Sequence, residues 1–62
     1  MNKPVVKLIG ENGNIFNLVG IATKALKTAG LKDKADELTK RIFNSRSYDE
    51  ALVIIGEYCE IE

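Results

Sequence analysis

The chain has 62 residues, 45% of them hydrophobic and 29% charged, with nine Lys and Arg balancing nine Asp and Glu. Those figures bound it to one small globular domain, residues 1–62, and exclude a disordered segment or a strongly polyanion-attracting one. A chain this short buries only about 60% of the surface it exposes when unfolded, so one core is the limit.

The chain opens on Met1 to Pro4 and then an apolar run interrupted by Lys7. That run is too short for a signal-peptide core or a membrane span, so a soluble, cytoplasmic protein without membrane contact is expected. Residues Val5–Ile9, rich in β-branched side chains and bounded by Pro4 and Gly10, predict a strand. Val6 and Leu8 fall on one face, and Val5, Lys7 and Ile9 on the other.

Gly10, Glu11, Asn12 and Gly13 then separate this strand from a helical pattern. Glycines between a strand and a helix can cradle a phosphate. Here no Lys-Ser/Thr pair follows Gly13, no third glycine completes a dinucleotide fingerprint, and Glu11 sets negative charge where a phosphate would lie. The stretch is therefore expected only to turn the chain.

Ile15, Leu18, Val19, Ala22, Ala25, Leu26 and Ala29 recur at spacings of three and four, which predicts an amphipathic helix. Asn14 is its expected N-cap, and Gly30 its left-handed C′ residue with Leu31 folding back. Gly20 inside it suggests a close neighbour, and Phe16 and Ile21 outside the stripe suggest burial on a second side. A second helix is expected from about Asp33 to Asn44, with Ala35, Leu38 and Ile42 inward and Glu37 placed to pair with Arg41. Ser47 and Glu50 form a capping-box pattern opening a third helix, whose apolar positions are Ala51, Leu52, Ile54, Ile55 and Tyr58.

Cys59 to Glu62 alternates apolar and acidic residues and predicts a closing strand. Lys3 and Lys7 on one strand suit Glu60 and Glu62 on the other. Val6, Leu8, Cys59 and Ile61 would then face the helices. The expectation is an α+β domain, β-α-α-α-β, with three helices on a short two-stranded sheet formed by the N- and C-terminal strands. Three helices alternating in direction favour parallel pairing; a bent helix arrangement would allow antiparallel pairing.

Few residues offer chemistry. The chain lacks His, the commonest general base, and its lone Cys59 can build neither a disulfide nor a zinc site. Acids surround Cys59, which suits a small buried apolar role better than a nucleophile. No enzyme activity, catalytic residue, metal ligand or cofactor is expected. The segment Lys24–Asp33 has helix-glycine-helix character, but Asp33, Asp36 and Glu37 occupy the turns that a recognition helix would offer to DNA. Nucleic-acid binding through the lysines around that junction is the alternative reading. Protein association is favoured, because Val5, Ile9, Phe16, Ile21, Phe43 and Tyr48 exceed what one small core needs. The partner is an unidentified protein, with a homodimer as one form.

The succession Gly10-x-x-Gly13-Asn14-x-Phe16-x-x-x-Gly20, Ala25-Leu26-x-x-Ala29-Gly30, Ser45-x-x-Tyr48-Asp49-x-x-Leu52 and Glu60-Ile61-Glu62 resembles a family of small uncharacterised proteins of bacteria, phages and other mobile elements. The resemblance covers nearly the whole chain. It implies a compact accessory protein of prophage origin, with no activity, cofactor or catalytic residue to carry over. Caps and turns account for Asn14, Gly30 and Asp49. Asn12, Asn17 and Tyr48 remain, and form the expected protein-contact surface.

Overall fold

The two β-branched and alternating runs at either end of the chain meet as a ladder. In the computed structural model, which describes residues 3–8 and 13–62, the order is β1 (Val5–Val6), α1 (Ile15–Thr28), α2 (Lys32–Phe43), α3 (Tyr48–Tyr58) and β2 (Glu60–Ile61). Strands β1 and β2 pair in parallel, with Val5 opposite Glu60 and Val6 opposite Ile61. The ladder continues to Leu8, whose N–H donates to the Glu62 carbonyl at 2.9 Å. Three helices, each reversing the chain, bring the last strand back in the direction of the first. The fold is thus α+β, with the helices packed on a two-stranded sheet. The expected end of the first strand at Ile9, and the turn residues Gly10, Glu11 and Asn12, lie outside the described residues.

Each helix boundary has a local cause. The Asn14 side chain accepts from the Phe16 N–H at 2.8 Å and opens α1. At the other end Gly30 adopts φ +79°; its N–H donates to Lys27 O, and the Leu31 N–H to Leu26 O at 2.8 Å. Those two bonds are the Schellman arrangement. Helix α2 starts one residue before the expected position and has no side-chain cap, since Leu31 occupies that site. Ser47 caps α3 by accepting from the Glu50 N–H at 3.1 Å. The return bond of the box goes elsewhere: the Glu50 carboxylate accepts from the Arg46 N–H at 3.3 Å.

The core is Val6 and Leu8 of the first strand segment, Leu18, Ala22 and Leu26 of α1, Ala35, Leu38 and Ile42 of α2, and Ala51, Ile54 and Ile55 of α3, with Cys59. No buried side-chain nitrogen or oxygen among the described residues lacks a partner. The Cys59 thiol points at the Ala22 carbonyl, 4.0 Å away, and burial pushes its pKa above the ordinary thiol value.

Ile61, opposite the buried Val6, faces the helices as expected and rests beside Gly56 of α3, although it stays 40% exposed. Four expectations are corrected. Phe16 is not buried on a second side of α1 but exposed. Gly20 has no close neighbour among the described residues: a Cβ there would meet nothing within 4 Å. Arg41 does not pair with Glu37. It reaches across to α3, donating to both Glu57 oxygens at 2.8 and 3.2 Å. It also lies over the Tyr58 ring, 5.6 Å from its centroid, and donates to the phenol oxygen, which donates in turn to Glu37. The sheet's charges are also less paired than expected. Among the described residues no ion pair crosses the ladder, and the Lys3 ammonium instead donates to the Gly56 carbonyl at 2.9 Å.

Candidate protein-association surface

Three of the chain's four aromatic side chains gather at one end of the helical layer. Phe16 lies in the first turn of α1, Phe43 in the last residue of α2, and Tyr48 in the first residue of α3. The caps place them there: Asn14 fixes where α1 begins, and the short Asn44–Ser47 connection holds the end of α2 against the start of α3. Phe16 and Phe43 are 69% and 66% exposed, yet their rings touch, with centroids 6.4 Å apart and planes tilted by 51°. A tilted pair at this distance is the favourable aromatic geometry.

Between the rings and the body of the protein runs a groove of about 310 Å³. Its apolar walls are Ile15 and Val19 of α1, Ile42 of α2 and Ala51 of α3, with Tyr48 at the rim. The Tyr48 hydroxyl approaches Gly13, 3.6 Å from where a Cβ on that glycine would stand. The loop side of the groove is polar, lined by Ser45, Arg46 and Ser47. An apolar concavity with a polar rim is the anatomy of a protein-contact patch.

The structure distributes the three sequence-predicted contact residues unevenly. Tyr48 joins the groove. Asn17 is exposed next to Phe16 in the chain but does not line the groove. Asn12 lies outside the described residues. Phe16 and Phe43, the two rings that dominate the surface, were legible as surplus apolar residues but not as a pair.

Among the described residues no group of three or more His, Cys, Asp and Glu side chains converges as metal ligands would. Lys32, in the candidate nucleic-acid segment, lies 3.8 Å from Asp36 on the same helix. Among the described residues no helix is long and apolar enough to cross a membrane. No protein-family model, no curated protein and no solved structure matches the chain.

Proposed function

We propose that this chain is a non-enzymatic protein-association module, whose contact surface is the patch of Phe16, Phe43 and Tyr48, and that a second copy is its first partner. The observation that carries this reading is the exposed, touching pair of phenylalanine rings over an apolar groove. Burying such a ring is worth roughly 1.5–3 kcal/mol, and a domain this small has few other sources of stability. A twofold axis sets this patch of one copy against the same patch of the other and closes the pair. The buried, unpaired Cys59 suits a reducing cytoplasm. Accessory service to a prophage or other mobile element is the role the family resemblance suggests. Nucleic-acid binding through the lysines near the α1–α2 junction ranks second, since Asp33 and Asp36 are interleaved with them.

Sedimentation equilibrium tests the pair. The protein is expected to shift from monomer to dimer as its concentration rises through the micromolar to millimolar range. The double variant Phe16→Ser, Phe43→Ser should stay monomeric with an unchanged helical circular dichroism spectrum. A wild-type protein that remains monomeric at the highest concentration would remove the homodimer.

A further inference from the structure

Another concavity lies away from the aromatic patch and shares no lining residue with it. It is a groove of about 690 Å³ between β1 and the later turns of α1. Val5 and Lys7 form one wall; Ile21, Lys24, Ala25 and Thr28 form the other.

The strand wall is an open sheet edge. Bonds to β2 engage the Pro4 carbonyl, the Val6 carbonyl and the Leu8 N–H. Backbone groups of successive strand residues point to opposite edges, so those of Val5 and Lys7 point into the groove. The sheet has only β1 and β2, so among the described residues no strand pairs with this edge. Two donors and two acceptors therefore stand in line, ready for an added strand.

Charge selects what that strand can be. Among the described residues the only charged side chains lining the groove are Lys7 and Lys24, both exposed and neither in an ion pair. A second β1 is a poor occupant. Antiparallel pairing centred on Val5 would set Lys3 against Lys7 of the other copy, and parallel in-register pairing would set Lys7 against Lys7. Like charges opposed across a ladder are destabilising. The edge β1 already uses holds an alternating run of this kind, β2 and the residue after it, Glu60-Ile61-Glu62.

We propose that the free edge of β1 binds an extended segment of another protein in which acidic and apolar residues alternate. Main-chain bonds to Val5 and Lys7 give it register. Its acidic side chains lie beside Lys7 on the outer face, and its apolar side chains rest on Ile21 and Ala25, with Lys24 at the rim. The lysines both deter self-pairing and choose the partner.

The probe is a blocked heptapeptide alternating Glu and Val, added to the ¹⁵N-labelled protein. The amides of Val5 and Lys7 should shift, and their hydrogen exchange should slow by about tenfold or more at saturation. The same peptide with Lys for Glu, or with a central Pro, should do neither. Raising salt from about 50 mM to about 500 mM should weaken binding several-fold. The double variant Lys7→Glu, Lys24→Glu, both at exposed positions, should keep the wild-type spectrum elsewhere and prefer the Lys peptide. The Phe16→Ser, Phe43→Ser variant should bind the Glu peptide as wild type does, so this site stands or falls apart from the aromatic patch. Several results would overturn the assignment: unmoved Val5 and Lys7 amides at millimolar peptide, equal binding of the Lys peptide, or shifts confined to the aromatic patch. So would the same amide shifts produced by raising protein concentration alone, which would give the edge to a second copy. A short DNA duplex that moves these amides more than the peptide does would give it to nucleic acid.

Discussion

Gly20 and Gly30 sit in and just beyond the same helix, and they are glycines for different reasons. Gly30 has φ +79°, a backbone conformation in which an L side chain crowds the carbonyl. Its two neighbouring bonds, from the Gly30 and Leu31 N–H groups back to Lys27 and Leu26, exist only with that turn. Gly20 is helical, exposed, and opens onto empty space. Its absent side chain serves no contact within the described protein. Substituting alanine should therefore move stability in opposite directions. Gly30→Ala should cost about 1 kcal/mol or more, from strain, whereas Gly20→Ala should add about 0.5–1 kcal/mol, from helix propensity and a less flexible unfolded chain. Urea unfolding followed by circular dichroism reads both. A destabilising Gly20→Ala would mean that something in the assembled protein approaches that face.

At the scale of elements, what is local reads directly from the sequence and what is relational does not. Asn14, Gly30 and Ser47 set helix ends through bonds to residues a few positions away, so their roles follow from spacing alone. Arg41 is different. A helix pattern offers it Glu37, but α3 brings Glu57 closer, and the bidentate contact with that carboxylate wins. The same holds for Phe16 and Phe43: each falls outside a stripe, but only the packing of α1 on α2 makes them a pair. Ile61 obeys the strand alternation yet stays half in solvent, because β2 has a helix on one side only. Cys59 links all three levels. It closes α3 by donating its N–H to Ile55 O at 2.8 Å, begins the turn into β2, and presses its thiol toward α1. Burial raises its pKa above the ordinary value of 9.0. Its thiol therefore ionises first in the unfolded chain, so stability is full below that ordinary value and falls as pH rises through it toward the raised one. Tyr58, raised by burial and by its bond to Glu37, adds a similar loss at higher pH. Cys59→Ala should cost about 1 kcal/mol at neutral pH through lost packing, yet flatten the first part of the alkaline decline. Unfolding free energies measured across the alkaline range, with an unaltered slope in the variant, would count against a buried thiol as the cause.

At the scale of the whole molecule, the sheet is the least self-sufficient part and the one that ties the chain together. Two strands of this length are not stable alone in water. Their hydrogen bonds also join segments more distant in sequence than any other pair of elements, which carries the largest chain-closure cost. The ladder must therefore be held by what its inner face buries. That face is Val6 and Leu8, with Cys59 leading into β2, all inside the helical core, while Val5 on the same strand points outward and is 53% exposed. Neighbouring valines thus differ in what they support. Val6→Ala should cost roughly 2 kcal/mol, from lost burial and the small cavity left against the helices. Val5→Ser should change stability by no more than about 0.5 kcal/mol, as a surface substitution does. Hydrogen exchange separates the two further. The N–H groups of Glu60, Glu62 and Leu8 cross the ladder to Pro4, Val6 and Glu62, each bond 2.8–2.9 Å long. They can exchange only when the ends of the chain part. In Val6→Ala these three amides should exchange faster by more than the amides of Leu38 or Ile55 in the helical core, because the sheet loses its anchor before the helices lose theirs. If all five amides accelerate equally, the sheet and the helices open as one unit. If Val5→Ser costs as much as Val6→Ala, the inward face is not what secures the ladder.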